Sequence, residues 1–179
     1  MSANAPQSSS ISPLAPWQPG DVVPAPLNIY SCLVEQEWVD YNGHMTEAAY
    51  LTAMGWGSDA LFTYIGDNDE YRAAGNSFYT VETHIVYEDE AFLDQPLHCT
   101  TLVLDMDVKR MHIYHELFNS ESGKRLSNCE QMLVHVDMKL GKSSPILPHV
   151  AVALTAIYEV HKTVPTPENV GRVMKIKHK

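Results

Sequence analysis

The chain has 179 residues, 45% of them hydrophobic, which is enough for one domain with a real core. Its 22 acidic against 12 basic residues give a formal charge of −10, which repels nucleic acid and anionic lipid and excludes both as bulk partners. Cys32, Cys99 and Cys129 form no C-x-x-C pair and read as free thiols of a reducing compartment.

No run of letters approaches a membrane span. The N-terminus has neither a basic start nor an apolar h-region, so the expected location is cytoplasmic. Residues 1–25, rich in Ser, Pro and Ala, are expected to form a flexible leader, residues 26–162 one domain, and residues 163–179 a flexible basic tail that is loose or lies on a neighbouring subunit. Leu27 to Trp38 reads as a first strand, and a polar loop around Gly43 follows.

Thr46 to about Ile65 reads as a helix, because Leu51, Met54, Ser58, Leu61 and Ile65 recur at helical spacing. Thr46 is the expected N-cap, and Glu47 suits the positive helix end. Gly55 and Gly57 inside this helix each cost about 1 kcal/mol relative to Ala, so a compensating feature such as a close backbone approach is expected. Residues 77–88, 97–107, 110–120 and 125–139 are β-rich and joined by short turns, and residues 148–162 read as a C-terminal helix. The order β-α-β-β-β-β with a C-terminal helix predicts an α+β domain, an antiparallel sheet wrapped around one long central helix. A single sheet leaves strand edges free, so a homodimer or a dimer of dimers is expected.

Asp40, Asn42 and His44 gather around Gly43 just before the long helix. Turn chemistry alone accounts for Asp, Asn and Gly in a loop. A functional reading has a mechanism. Orphan N–H groups at a helix start and the Asn42 amide can stabilise an oxyanion, and a nearby carboxylate can activate water or attack directly. Glu82 and His84 are two apart on a predicted strand and share one face, with Tyr79, Val81, Ile85 and Tyr87 expected on the core-facing side. Glu82 is then either an ordinary exposed residue or a second working carboxylate.

Glu130 and Gln131 interrupt an apolar strand, so one of them must face inward or toward a partner, Gln131 as an amide bridging strands. His112 and His115 are three apart on a strand and point to opposite faces, and neither a helical H-x-x-x-H pair nor a Cys/His cluster occurs, so no metal and no cofactor is expected. Lys109 and Arg110 at one turn, Lys124 and Arg125 at another, and Lys142 near a third are candidate contacts for phosphate.

"VDYNGHMTEAAYL" is similar to the D-x-N-x-H-x-N-x-x-Y pattern of hot-dog-fold thioesterases of the 4-hydroxybenzoyl-CoA thioesterase type. Asp40, Asn42, His44 and Tyr50 fall on the pattern, and Thr46 replaces its second Asn. "EWVDYNGHMTEAAYL", "SDALFTYIG", "SFYTVETHIVY" and "CEQMLVHVDM" together resemble the thioesterase associated with L-carnitine dehydrogenase, a family that hydrolyses betainyl-CoA to glycine betaine and CoA.

The resemblance implies a hot-dog fold over roughly residues 28–160, an acyl-CoA substrate and thioester hydrolysis. It implies catalytic roles for Asp40, Asn42, His44 and Glu82. Related enzymes carry a catalytic Asp near the position of Asn42, so the base lies elsewhere, with Glu82 leading and Asp40 second. His44 is expected to orient the thioester or donate to it. The trimethylammonium head of a betainyl group would sit against Trp38, Tyr41 and Trp56 near Gly43, and Lys109 and Arg110 would meet the CoA phosphates. Two other functions suit the fold: a hydratase or dehydratase, and a non-catalytic module that binds betaine or acyl-CoA.

Overall fold

The computed structural model describes residues 15–176. In chain order these form β1 (Leu27–Leu33), a 3-10 turn (Gln36–Trp38), α1 (Glu47–Ile65), α2 (Asp69–Ala73), β2 (Asn76–Tyr87), β3 (Pro96–Met106), β4 (Arg110–Asn119), β5 (Arg125–Asp137), β6 (Lys142–Ser143) and α3 (Pro148–His161). The sheet is antiparallel with strand order β1-β3-β4-β5-β2, and the short β6 pairs with β5. This is the expected hot-dog arrangement, with the sheet curled about α1. The first strand stops at Leu33, because the Trp38 amide bonds the Glu35 carbonyl and turns the chain. Helix α2 was not expected from the sequence; the Asn68 side chain caps it by accepting from the Tyr71 amide at 2.9 Å.

α1 is apolar on most of its surface because it is covered on most of its surface. Leu61, Phe62 and Ile65 join one core cluster with α3, while Ala49, Tyr50, Ala53 and Met54 join a second against β1, β3 and β5. Gly66, at φ +94°, ends the helix in the left-handed conformation. Thr46 stands at the N-cap position, but its side chain makes no cap bond; its carbonyl accepts from the Ala49 amide instead. The two helix glycines have different reasons. A Cβ on Gly57 would lie 2.8 Å from Cys99 Sγ, the close approach expected, whereas a Cβ on Gly55 would meet nothing within 4 Å.

A β-bulge at Val81 sets the face of every later residue on β2. Thr80 pairs with Leu133 and Glu82 with Met132, so Val81 is the extra residue. Before the bulge Phe78 turns toward α1, where it stacks on Phe62 at 5.5 Å. After it the phase shifts by one. Gln131, which α1 holds through Ser58, donates to Thr83, and Tyr87 donates to the Glu47 carbonyl. Glu82 and His84 therefore share the opposite, outer face, and Ile85 and Tyr87 lie inward as expected. Tyr79 and Val81 do not join them: they are 50% and 60% exposed.

Part of the expected leader is docked. The Trp17 amide donates to the Tyr64 carbonyl, and His161 links Pro24 to the core. His161 Nδ1 accepts from the Val103 amide and Nε2 donates to the Pro24 carbonyl, each at 2.9 Å. Residues 1–14 and 177–179 of the expected leader and tail lie outside the described residues. The preceding tail crosses the outer face of the sheet, where the Gly171 amide donates to Glu130 at 2.8 Å. Among the described residues no helix is long and apolar enough to cross a membrane.

Candidate active site

The loop before α1 is built on Asp40. Its carboxylate accepts from the Asn42 amide at 2.8 Å and from Asn42 Nδ2 at 3.2 Å, and its carbonyl accepts from the Gly43 amide at 3.0 Å. Gly43 sits at φ +84°, a conformation that a side chain would strain. Bridges Val39–Met45 and His44–Phe92 tie both sides of the turn, the second to the β2–β3 connection. Asp40, Asn42, Gly43 and His44 thus form one exposed to half-buried edge at the start of α1.

No side chain caps α1, so the Glu47 and Ala48 amides at this end of the helix have no side-chain partner. His44 Nε2 lies 3.9 Å from Glu90, and its ring meets the Phe92 ring edge-on. A cavity of about 320 Å³ opens beside it, lined by His44, Glu47, Tyr50, Tyr87 and residues 88–90. The Tyr50 hydroxyl is spent on the Asp89 carbonyl at 3.0 Å, which holds the loop's neighbour in place.

Glu82 stands apart from this edge. It lines an outer-face groove of about 350 Å³ with His84, His112, Glu130, Met132 and the tail at residues 171–173. Glu130 is held there by His112 Nε2 at 2.8 Å and by the Gly171 amide. Glu82 and His44 line two different cavities, because the Val81 bulge turns Glu82 away from α1. His112 and His115 do point to opposite faces, His115 toward α1.

The rings expected around a cation are separated as well. Trp38 packs against the second core cluster, Tyr41 is 96% exposed at the loop tip, and Trp56 lines a different groove. Of the basic residues, Arg110 grips Asp107 through Nε and Nη2 at 2.8 and 2.6 Å, which holds the Asp107 carboxyl down at about 2. Lys124 pairs with Asp89, and Arg125 bridges Glu88 and Glu116. Lys109 makes no ion pair among the described residues.

The groove that holds Trp56 was not legible in the sequence. It has a volume of about 370 Å³ and runs between α1 and β2 past Gly55, Trp56, Asp59, Phe62, Phe78 and Thr80. Its floor is polar but paired. Ser58 Oγ lies 2.8 Å from His115 Nε2 and donates to Gln131 Oε1 at 3.2 Å, and His115 Nδ1 lies 2.8 Å from Thr101 Oγ1. Full burial pushes the His115 imidazole down to about 4, so it is neutral at pH 7. Ser58 and His115 are both buried and held by Gln131 and Thr101, so the pair is a structural network.

Residues 34–154 match the model of the thioesterase-like superfamily. The chain is 44% identical over 147 residues to an L-carnitine dehydrogenase/betainyl-CoA thioesterase of Rhizobium meliloti, covering 82% of this chain and 30% of that protein. It is 39% identical over 149 residues to a betainyl-CoA thioesterase of Pseudomonas aeruginosa, covering 83% of this chain and 94% of that one. The crystal structure of a candidate thioesterase from Pseudomonas putida KT2440 superposes with a TM-score of 0.74 at 33% identity, over 86% of this chain and 98% of the other. Sequence, fold and loop agree: the chain belongs to the thioesterase-like superfamily.

Proposed function

We propose that this protein hydrolyses an acyl-CoA thioester, with betainyl-CoA as substrate and glycine betaine and CoA as products. One observation carries the reading: Asp40 and Asn42 are locked together beside the uncapped start of α1, in a chain 39% identical to a protein named betainyl-CoA thioesterase. A water molecule attacks the thioester carbonyl and passes a proton to Asp40. The oxyanion is met by the second proton of Asn42 Nδ2 and by first-turn amides of α1. The C–S bond then breaks, and the thiolate leaves and takes up the proton. The placement of Glu82 on the outer face of the sheet supports Asp40 over Glu82 as the base. His44 orients the thioester from the wall of the neighbouring cavity.

The β2 edge is long and exposes Tyr79 and Val81, which supports a homodimer paired along that edge with the sites near the interface. The test is thiol release from betainyl-CoA and acetyl-CoA, with crotonyl-CoA absorbance followed in parallel. Release of CoA from betainyl-CoA is expected. Loss of the crotonyl absorbance without thiol release would assign a hydratase, and ligand binding without turnover would assign a binding module.

A further inference from the structure

Gly55 carries an unexplained cost. Gly57 is required by Cys99, but at Gly55 a side chain would meet no neighbour, and Ala there would favour the helix by about 1 kcal/mol. What Gly55 does is leave room. It lies in the groove between α1 and β2, beside Trp56 and beside the stacked pair Phe62–Phe78. One carboxylate, Asp59, stands on the same helix face four residues after Gly55. No cation among the described residues forms an ion pair with it. The nearby Arg72 is committed elsewhere: its Nε lies 3.0 Å from Asp67, its Nη2 bonds the Asp67 carbonyl, and its Nη1 faces Asp69. The Ser58–Gln131–His115 floor is saturated with its own bonds. The groove thus offers ring faces, free volume and one carboxylate that feels Arg72 only across space, without an ion pair. That combination favours a compact, permanently charged cation over either an anion or a plain alkyl chain.

We propose that this groove takes the quaternary ammonium head of the acyl group, with Trp56 and the Phe62–Phe78 pair as its wall, Asp59 as the counter-charge and Gly55 as the gap that admits it. This deepens the hydrolase reading above and rests on it. Gly55 lies about 12 Å along α1 from Glu47, further than a betainyl unit reaches. The loop that works on an acyl group held here is therefore that of a second copy paired along β2, and the site is incomplete without it.

The test compares betainyl-CoA with 3,3-dimethylbutanoyl-CoA, in which carbon replaces the charged nitrogen. The wild type is expected to favour betainyl-CoA in kcat/KM, and Asp59→Asn to lower that ratio about 10-fold. Gly55→Leu is expected to melt no lower than the wild type while raising KM for betainyl-CoA. Asp59→Asn that keeps the wild-type ratio would overturn the proposal and leave the hydrolase standing.

If the wild type releases thiol from neither substrate, the hydrolase reading fails, and calorimetric binding of glycine betaine then decides the groove alone. Binding weakened about 10-fold by Asp59→Asn supports it, and equal or absent binding overturns it. The shared site is tested with a hybrid dimer purified through two different tags, one chain carrying Asp40→Ala and the other Asp59→Asn. About half of the wild-type rate on betainyl-CoA is expected, since one of the two sites stays intact. A rate no higher than that of Asp59→Asn alone would place loop and groove in the same chain.

Discussion

Asn42 has one amide proton on Asp40 and one left over, and that division predicts its variants. Asn42→Ala should lower kcat about 10²–10³-fold with a much smaller change in KM, because an oxyanion donor acts mainly in the transition state. Steady-state kinetics on a folded variant with unchanged kcat would reduce Asn42 to a turn residue. Asp40→Asn keeps an oxygen for the Asn42 amide but cannot take a proton from water, so thiol release should collapse while substrate still binds. Glu82→Gln should retain most of its turnover; the opposite pattern for these two variants would move the base to β2.

His115 makes a different prediction at the same scale. Its partners Ser58, Thr101 and Cys99 carry no charge that could stabilise an imidazolium, and burial sets its folded value at about 4 against 6.5 for the free side chain. Between those values the unfolded chain binds the extra proton. Stability from His115 is therefore fully present above pH 6.5 and is lost as pH falls toward 4, by up to ~3 kcal/mol. Urea unfolding at pH 7 and pH 5 should show a larger drop for the wild type than for His115→Gln.

Elements carry their own constraints. The α1–β3 contact leaves no room for a methyl at Gly57, where Cys99 Sγ would stand 2.8 Å away, and both groups are buried. Gly57→Ala should therefore destabilise by about 1–3 kcal/mol, against the helix preference for Ala, with a lowered melting temperature as the readout. On β2 Thr83, Ile85 and Tyr87 follow the bulge at Val81 and lie on the α1 side. Deleting Val81 should leave Thr80–Leu133 and Glu82–Met132 as neighbouring pairs, so Ile85 stays in and Glu82 stays out. A retained cooperative melt is the expected outcome. Loss of the cooperative melt would mean that the fold needs the bulge itself.

Among the described residues the molecule presents one long edge on β2, with Tyr79 and Val81 exposed on it. Light scattering at micromolar concentration should report a dimer. Thr83→Pro on that strand should weaken the dimer and lower turnover together, since proline removes a strand donor. A fully active monomer would break the link between assembly and catalysis.

The sequence by itself determined the helix over α1, the four long strands that follow it, the C-terminal helix and the loop of Asp40, Asn42 and His44. Each rests on local periodicity or on turn chemistry that needs no distant partner. It also determined that His112 and His115 face apart, because strand alternation is local. Only the tertiary structure decided that Tyr79 and Val81 do not share the inward face of Ile85 and Tyr87, since one extra residue at Val81 shifts the alternation and leaves no mark in the letters. It separated Trp38, Tyr41 and Trp56, which are close in sequence but sit on a core, a loop tip and a groove. It spent Arg110 on Asp107, an ion pair set by the geometry of one turn. And it distinguished two glycines one residue apart on α1, because what stands opposite each, a sulfur atom or open space, is supplied by the rest of the fold.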